Sequence, residues 1–213
     1  MTEQEKEFIK VLTLLSDNNC LKHVVLIGSW AEYLYQNTGL LPKGTTALRT
    51  LDVDFLVKNL RVPQPPVKLE EFALKEGFAV DNHPLLGTTK IRTVSRLEIE
   101  FLIDQKGAGN ESVYRTALGV TAQALRGLDL LLRETLSINY RNLEVTVPIP
   151  EAYILHKIVI NADRKKAEKR EKDRDSIIAI FPLLNQEKYQ QLLNQSTIKQ
   201  RKRIEAFWTE NKR

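Results

Sequence analysis

The chain of 213 residues has one cysteine, one methionine and three histidines. With Cys20 alone, no disulfide can form within the chain, and a reducing cytosol is the expected location. One thiol and the scattered His23, His83 and His156 lack the ligand spacing of a zinc site. No apolar run approaches the roughly 20 residues that span a membrane, so no membrane partner is expected. The N-terminus, MTEQEKEFIK, is polar and partly acidic, which is not the pattern of a signal peptide. An acidic excess is also missing. The net charge of +5 permits contact with nucleic acid or nucleotide phosphates without demanding it.

What is present is ordinary globular material. Apolar residues make up 42% and charged residues 28%, which excludes wholesale disorder and supports a real core. Thr2 and Glu5 form a capping box ahead of Phe8, Val11, Leu12 and Leu15, which predicts an amphipathic helix over 2–17. HVVLIG (23–28) reads as a buried strand ended by glycine. SWAEYLYQN (29–37) returns to helical spacing, with Ser29 as its N-cap. Residues 38–50 read as an irregular loop, and LDVDFLV (51–57) as a second strand. Residues 59–68 hold too much proline for a helix, and 69–78 form a helix closing at Gly77. Segments 89–95 and 96–104 pair as a hairpin, followed by a loop at 106–110. TAQALRGLDLLLRETL (121–136) reads as mostly helical, and LEVTVPIP (143–150) as a strand stopped by prolines. Beyond Pro150 only helices are expected, among them a charged run at 163–175 and two segments near 186–193 and 197–211. The expected architecture is α+β (α/β). A mixed sheet flanked by helices occupies 1–148, and a helical region at 149–213 packs against it.

The chemistry gathers at three places. Asp52 and Asp54 share one face of a strand, where two carboxylates repel each other. A divalent cation would remove that repulsion, and magnesium favours such oxygens. Taken alone, the pair also fits a half-exposed strand facing solvent. LIGSW places a glycine and a serine between a strand and a helix start, where backbone amides and the helix dipole favour an anion. Taken alone, it also fits an ordinary capped helix. In RLEIEFLID, Glu98 and Glu100 share one strand face, and either can supply a third carboxylate. GLLPKGTT (39–46) has the wrong Lys-Gly-Thr order for a P-loop, and no strand runs into it.

In this order, VVLIGSWAEYLY, LRTLDVDFLV and LEIEFLI resemble the nucleotidyltransferase superfamily of DNA polymerase β type, over roughly residues 23–104. The long gap between Ser29 and Asp52 is similar to that in relatives of abortive-infection (AbiEii-type) toxins and in a bacterial group with a GSW…TLDxDFL pattern. The resemblance implies a magnesium-dependent transfer of a nucleoside monophosphate from a triphosphate, with two metal ions and manganese as a substitute. It implies that Gly28 and Ser29 hold phosphates, and that Asp52, Asp54 and Glu100 bind metal and carry catalysis. Most members carry aspartate at the third position, and Glu98 stays open beside Glu100. Lys157 and Asp173 match a lysine and a basic-Asp pair (Lys172-Asp173) of the AbiEii-type relatives and are candidates for nucleotide binding. Lys157 equally fits a lysine snorkelling at a core margin. Arg49 is placed to contact phosphate or brace its loop. The basic residues of the helical half make an RNA such as tRNA the expected acceptor, a protein or a small molecule stays open, and a toxin is one biological role. The rival reading is an inactive module that keeps the fold for nucleic-acid binding or regulation.

Overall fold

The computed structural model describes residues 1–44, 50–83, 85, 87–105, 112–164 and 166–211. Arg49 and the loop at 106–110 lie outside the described residues. Helix α1 (Glu3–Asp17) begins at the expected capping box: Glu5 N–H donates to Thr2 Oγ1 at 3.2 Å, and Thr2 N–H donates to Glu5 Oε2 at 2.7 Å. Strand β1 (Val24–Ile27) is buried along its whole length, and α2 (Ser29–Asn37) follows across Gly28. Then come β2 (Asp52–Val57), α3 (Leu69–Lys75), β3 (Ala79–Asn82), β4 (Thr89–Arg92), β5 (Glu98–Asp104), β6 (Val113–Arg115) and β7 (Thr121–Leu125).

These seven strands form one mixed sheet. Its main order is β1-β2-β5-β4-β3, with β7 parallel to the far end of β5 and β6 antiparallel to β7. The central pair β2–β5 is parallel, whereas β1–β2 and β4–β5 are antiparallel. A short helix α4 (Asp129–Arg133) leads into the hairpin of β8 (Thr135–Tyr140) and β9 (Leu143–Pro148).

The sequence expectation for 121–136 is corrected here. That segment holds a strand, a five-residue helix and the start of another strand. Ala122 and Ala124 are fully buried while Thr121, Gln123 and Leu125 are half-covered, so the segment follows a period of two. Alanine favours helices in isolation, but its small side chain also fits where a strand is tightly covered, and packing overrides propensity.

From Pro150 the chain is helical among the described residues: α5 (Pro150–Asn161), α6 (Ala167–Ile180), α7 (Gln186–Asn194) and α8 (Ile198–Glu210). Helix α5 is buried on nearly every side, as its largely apolar sequence requires, and α4, α6, α7 and α8 gather around it. One apolar cluster runs from Phe8 on α1 through the sheet to Phe207 on α8, so the two halves share a core. No described helix is long and apolar enough to cross a membrane.

Candidate active site

The period of two in β2 and β5 sorts the side chains. Val53, Phe55, Ile99 and Phe101 point into the core, where the Phe55 and Phe101 rings stack 6.1 Å apart. Asp52, Asp54, Glu98 and Glu100 share the opposite, half-buried face. Parallel pairing puts Asp52 beside Glu98 and Asp54 beside Glu100. Four carboxylates that look like two separate pairs in sequence therefore form one patch.

Strand β1 brings the Gly-Ser turn to the same patch, because Ile27 pairs with Asp54. Gly28 has φ +71°, and a Cβ built on it would lie 2.8 Å from Asp54 Oδ2. A side chain there would both strain the backbone and collide with the carboxylate. Gly28, not the expected Ser29, is the cap residue of α2, and Ser29 is the first helical residue. The Ser29 hydroxyl is used locally: Thr50 N–H donates to it at 3.0 Å, and Thr50 Oγ1 lies 3.0 Å away. Thr50 Oγ1 donates in turn to the Asp52 carbonyl at 3.1 Å, which leaves the Ser29 proton to Thr50. Ser29 thus ties the start of α2 to the start of β2.

Burial pushes the Asp54 carboxyl up to about 7. The negative charges of Glu100 and Asp52 add to the rise, and the positive charges of Lys169 and Arg164 offset only part of it. Glu98 behaves in the opposite way. A hydrogen bond from Lys90 holds its carboxyl below the usual range against the effect of burial, with help from Arg92. The donor chemistry of Asp52, Asp54 and Glu100 suits a hard cation, and the repulsion felt by Asp54 is what a cation relieves. Among the described residues, however, no three His, Cys, Asp or Glu side chains close into a ligand set. Glu100 is held by Lys90, at 2.6 Å.

Lys157 and Asp173 lie together, at 3.5 Å, in a different setting. Lys157 Nζ is 2.5 Å from Oε1 of Glu32, a buried residue of α2. The same oxygen accepts from Tyr153 Oη and Ser176 Oγ, both at 2.8 Å. Lys157 also donates to Ser176 Oγ at 3.0 Å, and Arg164 Nε donates to Asp173 Oδ2 at 2.8 Å. Burial raises the Glu32 carboxyl, but the Lys157 charge and the three donors outweigh it and leave Glu32 below its ordinary value. The charge of Lys157 is thus matched inside the protein. Tyr153 Oη lies 3.1 Å from the Gly28 carbonyl, so this cluster reaches the Gly-Ser turn from behind.

The structure therefore brings together Gly28, Asp52, Asp54 and Glu100, and it sets Lys157 with Asp173 behind them. Sequence reasoning missed Lys90, Glu32, Tyr153, Ser176 and Arg164. Lys90 and Arg92 were findable, because in the expected hairpin their alternation puts them on the face of Glu98 and Glu100. Glu32 carries no such signal, since its partners are more than 120 residues away.

A nucleotidyltransferase family model matches residues 6–200. No curated protein matches the chain. Among solved structures, it is similar to the crystal structure of an antigenic nucleotidyltransferase-like protein from Paracoccidioides brasiliensis. That likeness has a TM-score of 0.54 at 13% identity and covers 95% of this chain and 87% of the other. At such identity the likeness speaks for the fold, a mixed sheet flanked by helices. The family match spans both the carboxylate face and the helices behind it, and the chain belongs to the nucleotidyltransferase family.

Proposed function

We propose that this protein transfers a nucleoside monophosphate from a nucleoside triphosphate to an acceptor hydroxyl. The observation that carries the reading is the register of β2 and β5, which sets Asp52 and Asp54 beside Glu98 and Glu100 at the end of the Gly-Ser turn. The acceptor oxygen attacks the α-phosphorus in line, the bond to the bridging oxygen breaks, and pyrophosphate leaves. Glu100 takes the acceptor proton. The glycine turn lets the triphosphate approach the backbone, and the first turn of α2 presents its positive dipole end. Divalent cations, magnesium or manganese, held by Asp52, Asp54 and Glu100 would supply charge for the attacking and leaving oxygens. Glu98 is a structural member of the patch, since both of its oxygens are engaged by cationic side chains.

The test incubates the protein with each labelled triphosphate, magnesium and total cellular RNA and protein. One fraction should be labelled by the wild type and none by the Asp52→Ala, Asp54→Ala variant, a loss of at least about a thousandfold. Labelling that survives in the variant would refute the assignment.

A further inference from the structure

Lys90 stands directly across from Glu100 in the antiparallel register of β4 and β5. Its ammonium lies 2.6 Å from Glu100 Oε1 and 2.8 Å from Glu98 Oε2, and its side chain is only 19% exposed. Arg92, on the same strand face, donates to Glu98 Oε1 at 2.8 Å and also contacts Asp81. The two glutamates are therefore held differently. Releasing Glu98 means opening contacts to two cations, whereas releasing Glu100 means opening its contact with Lys90.

The position of Lys90 matters because of what surrounds it. The carboxylate face concentrates four acids, and the ammonium supplies positive charge at the edge nearest Glu100. Two cations against one carboxylate repel each other, and at a half-buried site water screens that repulsion incompletely. We propose that Lys90 is the resident counter-ion of Glu100. It holds that carboxylate while no divalent cation is present and competes with the cation for it. This rests on the reading that Asp52, Asp54 and Glu100 bind a cation. Lys90 acts through Glu100 and is a positioning residue.

The experiment titrates manganese alone, without nucleotide, into the full chain by calorimetry. Wild type is compared with Lys90→Met, Arg92→Met and the double variant Lys90→Met, Glu100→Gln. Lys90→Met should tighten manganese binding by at least about fivefold, and Arg92→Met should change it by less than about twofold. Adding Glu100→Gln should erase the gain. Lys90→Gln, which keeps a donor for Glu98, serves if Lys90→Met does not fold. Wild-type binding that Lys90→Met leaves equal or weakens would overturn the inference and leave the nucleotidyl-transfer reading in place. An equal gain in Arg92→Met would also overturn it, because bulk charge would then suffice. If wild type and Lys90→Met both fail to bind manganese, the cation reading and the inference fall together.

Discussion

Two groups of carboxylates lie on either side of the Gly-Ser turn, and their surroundings are opposite. On the face of β2 and β5, Asp54 has Asp52 and Glu100 as neighbours, and burial with like charge raises its carboxyl to about 7. Behind the turn, Glu32 is also buried but accepts from Lys157, Tyr153 and Ser176. Its carboxyl stays below the ordinary value. A buried carboxylate with matched donors supports a fold, whereas one facing its own kind costs stability until something else arrives. The first arrangement suits packing α5 and α6 onto α2. The second suits a ligand.

The largest effect expected on stability is at Glu32. Glu32→Ala leaves Lys157 only its longer contact with Asp173, unpairs the Tyr153 and Ser176 hydroxyls from their shared acceptor, and should cost about 3–5 kcal/mol in urea unfolding. Asp54→Asn should act in the other direction. In chelator at pH 7.5 it removes one member of a repelling set and should stabilise by about 1–3 kcal/mol. If the two variants shift stability in the same direction, the contrast between the clusters is wrong.

Proton linkage sharpens the same contrast. Asp54 has a folded value raised above its unfolded one, so its contribution is present at low pH and is lost as pH rises through about 7. His156, on α5, donates from Nδ1 to the Gly127 carbonyl at 2.9 Å, and burial lowers its imidazole to about 4. Its folded value is depressed, so its contribution is present above pH 6.5 and is lost as pH falls towards 4. Wild type should lose at most about 3 kcal/mol to His156 across that window, and His156→Gln should remove that loss and leave the opposite slope of Asp54. Thermal unfolding from pH 7 to pH 4 would show it. An unchanged slope in the variant would remove His156 from the account.

A further effect lies at the junction. Gly28→Ala should cost about 1–3 kcal/mol for the backbone alone, with a further loss from contact with Asp54. Combining it with Asp54→Ala should recover the contact part and leave the backbone part. Strict additivity of the two substitutions would mean that they do not touch.

Much of the sheet was legible because its chemistry is local. The Thr2–Glu5 capping box, the buried VVLI strand and the alternation in DVDFLV and EIEFLID each appear where local patterning places them. The strands β7 and β8 were not legible. TAQAL is composed of residues that suit a helix, and only cover from its neighbours makes it a strand. The β8–β9 hairpin turns at Arg141 and Asn142, with φ +53° and +66°, without the glycine that normally marks such a turn. In the site, the Asp-x-Asp pair and the Gly-Ser turn were readable as motifs. The cluster behind the turn was not, because Glu32 meets Tyr153 and Ser176 across more than 120 residues.

The sequence by itself determined which side chains face which way along β2 and β5, since alternation is a property of the extended backbone. It therefore determined that Asp52 with Asp54, and Glu98 with Glu100, would each share a face. Only the tertiary structure decided that the two faces are one. Parallel pairing of β2 with β5 is a contact between segments more than 40 residues apart, and its register depends on the whole core beneath it. The same holds for the cations. Lys90 and Lys157 are equal in sequence as charges, and folding assigns one to a carboxylate at the edge of the patch and the other to a buried acid behind it.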